Sequence, residues 1–498
     1  MLFNSLNFLI FFPIVLFIYY IVPKKMKQFW LLAASYYFYM CWNAKYIVLM
    51  LFSTIITYVS GLIIEKIKSN SWSIEKKIFY KKVSVAVSFF LNLMVLFYFK
   101  YINFALGTLK AMLHIVNVDL SVPAFDIMLP VGISFYTFQA LSYTVDVYRG
   151  DIYAEKNFFR YALFVSFFPQ LVAGPIERSK NLLKQLAIPK KFNFDSAKEG
   201  CLLMIWGYFL KIVLADRIAI FVDVVYNDFE KFGGYYLIVA TLLFAIQIYC
   251  DFGGYSVIAI GAAKILGIDL MENFNTPYLS KSVSEFWRRW HISLSSWFKD
   301  YLYIPLGGNR KSRLRKNINL MIVFLVSGLW HGADWSFVIW GGVNGLYQVI
   351  GPWTQHIRYK AVNILQLNKN TLGHKLLQMF ITFLLVDFSW IFFRANNLSD
   401  ALGIIKSMLF VHNPQIFFSG AIFNCGLDSK NFGVMTISIL ILIIADIFKY
   451  KGIRIRREIL AQDWWFRWIV YIVSIIFILV VGIWGSGYDQ AGFIYFQF

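Results

Sequence analysis

Two of the six histidines in the sequence lie where an imidazole can take part in chemistry. His331 lies in VSGLWHGADW, at the end of an apolar segment, and His291 lies in SEFWRRWHISLSSWF. An ionisable ring in an apolar segment is energetically costly, which favours a functional role. The structural alternative is a ring that bonds a neighbouring carbonyl or lies at an interface, and His331 by itself leaves both open. Because a neutral imidazole is a suitable base near neutral pH, the functional interpretation predicts general-base catalysis.

The residues next to His331 favour the functional interpretation. They offer a hydroxyl one helical turn before the ring, a carboxylate that can accept a hydrogen bond, glycines that permit close backbone approach, and two aromatic walls. These residues are Ser327, Asp334, Gly328, Gly332, Trp330 and Trp335. The pattern therefore predicts a pocket around His331.

The segment that contains His291 reads as one amphipathic helix. Ser282 and Glu285 have the spacing of a capping box, which begins a helix, and Pro305 and Gly307 end it. Helical spacing predicts one face formed by Trp287, Trp290, His291, Leu294 and Phe298. One interpretation is an interfacial helix whose tryptophans lie among lipid headgroups. The functional interpretation is a re-entrant helix that brings His291 into the cavity of His331.

The basic run from Arg310 to Lys316 follows this segment. Its charge is suited to the phosphates of a nucleotide-like donor. The alternative, an orientation signal or a contact with lipid headgroups, is the interpretation we prefer, because basic residues collect beside membrane spans.

Polar residues interrupt the apolar segments elsewhere and predict a polar lining. They include Gln139, Asp146, Glu177, Arg178, Gln247, Asp251, Asn344, Asp387 and Arg394. The candidates for lining a substrate path, besides Ser327 and Asp334, are Trp330, Trp290, Asp251, Gln139 and Arg289. Structural pairing is the alternative for each of them. The four cysteines form no CxxC pair and nucleotide-binding loops are absent, so we predict no metal and no bound cofactor.

The composition defines the class of protein that must position these residues. Of the 498 residues, 59% are apolar and 15% are charged. Soluble domains have roughly 45–50% apolar and roughly 25% charged residues. The difference excludes soluble multi-domain proteins and disordered proteins, and it predicts a polytopic membrane protein. The formal net charge is +20. The basic residues fall between apolar spans, which favours cytoplasmic loops over nucleic-acid binding.

Thirteen apolar runs are candidates for membrane helices. They lie near 3–22, 28–43, 46–64, 83–102, 130–147, 158–175, 197–214, 235–263, 317–330, 335–352, 376–394, 432–448 and 465–485. Several are short, and Pro130, Pro169 and Gly174 interrupt two of them. Irregular backbone survives in a bilayer only inside protein or beside a cavity, so we expect re-entrant helices around a wet interior.

Lysine and arginine clusters between the runs predict the orientation. The clusters centre on 66–82, 180–191, 310–316 and 449–457, and their cytoplasmic placement puts both termini outside. The first run lacks a cleavage site and reads as a retained span. We find no internal repeat, which gives no support to a transporter of two similar halves. A single integral membrane domain over 1–498, without a separate soluble domain, is predicted.

Six stretches in this order resemble the membrane-bound O-acyltransferases, and within them the alginate O-acetyltransferase-like branch of bacteria. They are MLPVGISFYTFQALSYTVDVYRG (128–150), FFPQLVAGPIER (167–178), YCDFGGYSVIAIG (249–261), FWRRWHISLSSWFKDYLYIPLGGNR (286–310), SGLWHGADWSFVIWGG (327–342) and FIYFQF (493–498). The resemblance implies an all-α ring of about 11–13 transmembrane and re-entrant helices around a thinned central funnel or tunnel. It implies that His331 is the catalytic histidine and His291 the second histidine of this branch.

The resemblance also implies the reaction. An acyl group, in this branch acetyl, passes from a cytoplasmic thioester such as acetyl-CoA or an acylated carrier to a hydroxyl outside, for O-acetylation of a cell-surface polysaccharide in the bacterial cytoplasmic (inner) membrane. The expected partners are an extracytoplasmic acetyltransferase that serves as acceptor, an acyl carrier protein and membrane lipids, with no nucleic acid. The alternatives are D-alanyl transfer for teichoic acid, a transporter or flippase of a polysaccharide export system, and a scaffold that tolerates substitution of both histidines.

Overall fold

The computed structural model describes residues 1–119, 125–172, 174–364, 366, 368 and 370–484. Every regular element among these residues is a helix, which confirms the predicted all-α class. The FIYFQF motif and the predicted outside location of the C-terminus lie beyond the described residues.

The chain packs into two compact units. The first contains Met1–Cys201 and Ala259–Met271, and the second contains Leu202–Ile258 and the described chain from Glu272 onward. This division concerns packing and does not test the predicted single membrane domain, which stays a prediction.

The first unit contains nine α-helices and the beginning of a tenth. They are α1 Leu6–Ile21, α2 Lys27–Met40, α3 Ile47–Ser69, α4 Ile74–Leu96, α5 Ile102–Ile115, α6 Ile133–Arg149, α7 Phe158–Ser166, α8 Phe168–Leu171, α9 Ser179–Ala187 and α10 Phe194–Tyr208, with a 3₁₀ turn at Ala44–Tyr46 and a π turn at Phe97–Tyr101.

The second unit begins within α10 and contains the remaining helices. They are α11 Asp216–Asn227, α12 Phe229–Phe232, α13 Gly234–Ile265, α14 Val283–Arg289, α15 Ile292–Phe298, α16 Arg313–His331, α17 Trp335–Trp353, α18 Gln355–Ile364, α19 Leu372–Arg394, α20 Leu398–Phe410, α21 Ser429–Tyr450, α22 Ile455–Leu460 and α23 Trp464–Val481. The last residues of α13 belong to the first unit. Shorter turns lie at Phe209–Ala215, Pro277–Leu279, Lys299–Tyr303, Pro414–Phe417 and Ala421–Asn424.

Six described helical stretches are long and apolar enough to cross a bilayer. They are Ala44–Ser69, Ile74–Ile115, Gly234–Ile265, Leu372–Arg394, Ser429–Tyr450 and Trp464–Val481. The predicted run 158–175 is instead divided into α7 and α8 at Phe167. Pro169 has no backbone N–H to offer the carbonyl four residues earlier, and its ring clashes with that carbonyl, which favours a break at this point.

Polar side chains hold the helices of the first unit together. Ser53 donates to Asn92 at 2.5 Å and links α3 to α4, and the Gln139 amide donates to the Phe164 carbonyl at 2.7 Å and links α6 to α7. Ser179 donates to Asp146 at 2.5 Å. Hydrogen bonds between helices satisfy buried polar groups where water is excluded. Gln139 therefore has a structural role in this unit.

In the second unit, α16 and α17 form a tightly packed hairpin. A Cβ atom on Gly328 would lie 2.2 Å from the Phe337 carbonyl oxygen, and one on Gly341 would lie 2.3 Å from that of Phe324. Only glycine permits this approach of the two backbones. The hairpin places His331 at the last position of α16.

Candidate active site

The two predicted histidines lie together inside the second unit. The ring centroids of His291 and His331 are 6.4 Å apart. His291 is 1% exposed and His331 is 4% exposed. The structure thus brings the two histidines together, while the shared cavity and their catalytic roles stay predictions.

His331 is enclosed by large rings. Its ring lies 4.9 Å from that of Trp330, 5.0 Å from that of Trp340 and 5.4 Å from that of Phe393. Trp340 comes from α17, across the hairpin, and Phe393 comes from the end of α19. These bulky rings restrict the access of bulk water to the imidazole.

The expectation of one continuous helix around His291 is wrong. The chain forms α14 and then α15, with Trp290 extended and His291 in the left-handed region at φ 43° and ψ 53°. The predicted beginning is confirmed, because the Ser282 hydroxyl accepts the Glu285 N–H at 3.1 Å. The predicted aromatic face does not exist as one helical stripe, since the break reorients every residue that follows Trp290.

Hydrogen bonds to an upstream segment hold this break. The Ile292 N–H donates to the Asn273 carbonyl at 2.9 Å, and the Asn275 N–H donates to the Arg289 carbonyl at 2.9 Å. A residue other than glycine in the left-handed region costs roughly 1–2 kcal/mol, which tertiary contacts must offset. The strained residue is itself one of the two candidate histidines of the site.

The side chain of Asn273 orients the His291 ring. Its Oδ1 atom accepts from the Ser293 N–H at 3.3 Å, from the Ser293 hydroxyl at 2.9 Å and from His291 Nδ1 at 3.1 Å. Its amide nitrogen donates to Ser256 Oγ on α13 at 3.0 Å. The Ser293 backbone N–H can only donate, so the Asn273 side-chain atom that it contacts is the amide oxygen and not the amide nitrogen. Because that oxygen can only accept, Nδ1 of His291 carries the proton and Nε2 carries the lone pair.

The environment of His291 favours its neutral form. Phe252 packs edge-on against the ring with centroids 4.6 Å apart, and His291 lies outside the six apolar spans. Burial lowers the pKa of His291 below its ordinary value, because the imidazolium would lose its hydration. A neutral ring whose Nδ1–H is held by Asn273 can accept a proton or a hydrogen bond at Nε2.

Trp290 belongs to an aromatic cluster beside the histidines. Its ring stacks on that of Phe286 at 5.3 Å and lies 5.1 Å from that of Trp390. Trp390 in turn stacks on Trp340 at 5.8 Å. The cluster connects α14, α17 and α19. Trp290 therefore packs against Trp390, which stacks on Trp340 beside His331.

Three other predicted lining residues have structural contacts. The Asp251 carboxylate pairs with the Lys211 ammonium at 2.5 Å inside the second unit. Arg289 pairs with Glu285 at 2.9 Å and donates to Thr276 Oγ1 at 3.1 Å. Asp334 accepts the Ser336 N–H at 2.7 Å and so caps the beginning of α17. These contacts are the structural alternatives stated above.

Ser327 and the basic run differ in their distance from His331. Ser327 is buried on α16 one turn before the histidine. The basic run precedes the same helix, and the rise over its 19 residues separates Arg313 from His331 by about 27 Å. Phosphates bound at the basic run are therefore remote from the histidine pair.

Sequence reasoning missed Asn273, Phe393 and Trp390. Asn273 was one polar residue among many in a loop, and Phe393 and Trp390 were two apolar residues of a predicted span. Their place at the site depends on contacts between distant segments. The polar character of ENFN (272–275) just before the resembling stretch 286–310 is the only local signal.

The chain is similar to known acyltransferases. The membrane-bound O-acyltransferase family matches residues 152–372. "Probable alginate O-acetylase AlgI" of Azotobacter vinelandii is 39% identical over 409 residues, which cover 82% of this chain and 78% of the relative. "Peptidoglycan O-acetyltransferase" of Helicobacter pylori is 33% identical over 443 residues, covering 82% and 80%. "Teichoic acid D-alanyltransferase" of Bacillus subtilis is 27% identical over 256 residues, covering 48% and 64%.

Proposed function

Since this chain belongs to the membrane-bound O-acyltransferase family and is an O-acyltransferase, we propose that it moves an acetyl group from a cytoplasmic thioester to a hydroxyl presented outside. The product is an O-acetylated cell-surface or cell-wall polysaccharide. The observation that carries the proposal is the buried pair of His291 and His331, 6.4 Å apart, in a chain with acetylating relatives.

The proposed reaction is a direct acyl transfer. The acceptor hydroxyl oxygen attacks the thioester carbonyl carbon, and His331 takes the hydroxyl proton. The carbon–sulfur bond breaks as the ester bond forms. The proton then passes from His331 to the departing thiolate, which leaves as a thiol, so no net charge remains on the protein.

His291 has a different task in this proposal. With its proton held on Nδ1 by Asn273, it accepts a hydrogen bond at Nε2 from an N–H or O–H group of a substrate and positions that substrate. Stabilising the carbonyl oxyanion requires a donor, which this tautomer does not offer at Nε2. The tautomer therefore favours positioning over oxyanion stabilisation.

A substitution series tests the catalytic proposal. We expect His331→Ala to remove acetyl groups from the surface polysaccharide of producing cells, as measured by mass analysis. The exposed His356 provides the matched control, and His356→Ala is expected to leave acetylation unchanged. Normal acetylation in the His331→Ala strain, at equal protein abundance, would show that His331 is not the base.

Donor access and topology need sealed membranes. We propose a bacterial inner-membrane protein with both termini outside and a thinned centre, through which a cytoplasmic donor reaches the histidine pair. An impermeant acetyl thioester outside right-side-out vesicles is then expected to give no transfer, while inverted vesicles use it. Equal use in both preparations contradicts a cytoplasmic donor.

We also propose that the first acceptor is an extracytoplasmic acetyltransferase, which passes the group to the polymer. Purified protein with a labelled acetyl thioester is expected to transfer label to that partner only when His331 is present.

Transfer of D-alanyl from a carrier in place of acetyl would favour the teichoic-acid alternative, which the relative from Bacillus subtilis motivates. If neither the acetyl thioester nor the D-alanyl carrier loses its label, the result would favour a transporter.

A further inference from the structure

The first unit has an apolar groove between α3 and α4. The cavity has a volume of about 780 Å³. Branched apolar side chains from both helices line most of its length, among them Ile56, Val59, Ile63, Val83 and Val87. Val59 and Val87 are also 44% and 51% exposed, so the groove opens to the surroundings of the helix pair.

Small polar residues form the floor of the groove. Ser60 and Ser84 lie across from each other, with their hydroxyl oxygens 3.0 Å apart. Ser88 also lines the cavity and is buried against Thr144 of α6 at 3.4 Å. Because these hydroxyls bond one another, the floor is satisfied without a ligand, and the small side chains leave space above it.

One end of the groove is polar, aromatic and cationic. Lys66, Asn70, Trp72 and Tyr80 line it, and the rings of Trp72 and Tyr80 are 5.1 Å apart. Tryptophan and tyrosine prefer the headgroup level of a bilayer, where one side of the ring is wet and the other is apolar. The groove therefore has an apolar part suited to acyl chains and a polar end suited to a lipid headgroup.

Of the three lysines near this end of the groove, Lys68 and Lys77 bond other protein groups, whereas Lys66 forms no ion pair with the described residues. Lys68 pairs with Glu65 at 3.6 Å and donates to the Val147 carbonyl at 2.7 Å. Lys77 donates to the Lys68 carbonyl at 3.3 Å. Lys66 is exposed and forms no ion pair with the residues that the structure describes. Its ammonium is thus available to an anion at the end of the groove.

From this arrangement we propose that the groove between α3 and α4 binds an anionic phospholipid. The acyl chains lie along the apolar part, and the phosphate binds Lys66 and the polar groups of Asn70, Trp72 and Tyr80. Charge complementarity selects the lipid, because clustered lysines beside a span attract anionic headgroups. This site lies in the first unit and is independent of the acyltransferase chemistry proposed for the histidines.

Binding of defined lipids tests the headgroup part. Delipidated full-length protein is incubated with phosphatidylglycerol or with phosphatidylcholine of identical acyl chains, and retained lipid is counted by native mass spectrometry. We expect a preference for phosphatidylglycerol that Lys66→Gln lowers about fivefold, the effect of one lysine near a lipid surface. Lys82→Gln, a lysine of the same cluster that does not line the groove, is expected to keep the preference.

Filling the groove tests the acyl-chain part. Val59→Trp is expected to reduce retention of both lipids at least fivefold, whereas Val48→Trp, an exposed valine of α3 outside the groove, is expected to have no effect. Equal retention of the two lipids by the wild type overturns the proposal, as does an equal loss in Lys66→Gln and Lys82→Gln. Displacement of the lipid by inorganic phosphate alone, or retention of a second copy of the chain in its place, also overturns it. If Val59→Trp does not fold, the two glutamine variants decide.

Discussion

The orientation of His291 by Asn273 leads to a quantitative prediction. In Asn273→Ala, the groups that bond Asn273 Oδ1 lose their acceptor, namely His291 Nδ1 and the N–H and hydroxyl of Ser293. A buried donor without an acceptor costs about 1–3 kcal/mol. His291 avoids this cost by moving its proton, which changes the tautomer, or by turning its ring, which changes the direction of Nε2. Either change removes the arrangement proposed to position the substrate.

The expected kinetic effect follows from that cost. If 1–3 kcal/mol is lost from the reactive arrangement, kcat falls by about 5- to 150-fold, because about 1.4 kcal/mol corresponds to a factor of ten. The assay is acetyl transfer by purified protein from a labelled thioester, with KM measured separately. Asn275→Ala is the matched control, since Asn275 lies in the same segment and contributes its backbone N–H and carbonyl to hydrogen bonds with Arg289.

Asn273→Asp separates orientation from simple packing. The carboxylate can still accept from Nδ1, but its charge raises the pKa of His291, which burial lowers in the wild type. The neutral ring is then lost as the pH falls through the raised pKa, so the acidic limb of the kcat profile moves to higher pH. At high pH this variant is expected to be more active than Asn273→Ala.

Two outcomes would refute the reasoning. One is a kcat of Asn273→Ala within twofold of the wild type in protein with an unchanged melting temperature. The other is a pH profile of Asn273→Asp that coincides with that of the wild type. A purely structural role for Asn273 would lower the melting temperature of both variants without moving the pH profile.

Three further predictions concern stability and the remote basic run. Gly328→Ala is expected to destabilise the hairpin by about 1–3 kcal/mol in thermal unfolding, whereas Gly342→Ala, whose Cβ meets only an ordinary 3.6 Å contact, is neutral. Lys211→Met is expected to cost about 3–5 kcal/mol by leaving buried carboxylates uncompensated, and adding Asp251→Asn should recover part of it. Replacing the basic residues of 310–316 with glutamine should leave kcat within twofold of the wild type, because the run lies far from His331 along α16. A larger loss would indicate that the run contacts the donor.

Local sequence was sufficient for the elements that carry His331. The apolar run 317–330 predicted the helix that ends at His331, and the glycines predicted close backbone approach, which the hairpin shows at Gly328. Asp334 was predicted as a lining residue, and in the structure it caps α17. The capping residue Ser282 was also predictable, because an N-cap depends on residues within one turn. Such features need no knowledge of distant segments.

The break at His291 was not predictable from local sequence. Helical spacing across Trp290 is regular, and nothing local requires a left-handed residue. The break exists because Asn273 and Asn275 bond the backbone on either side of it. The walls formed by Phe393 and Trp390 depend in the same way on tertiary packing, which overrides local propensity.

The enclosure of His331 by Phe393 has a consequence for how the protein is made. The histidine and its hairpin partner α17 leave the ribosome well before α19, which carries Phe393 and Trp390. Until α19 has inserted, the imidazole lacks the ring that covers it on that side. A nascent or prematurely terminated chain therefore holds both histidines without the wall that α19 supplies, and the enclosure of the imidazole is completed only late in biosynthesis.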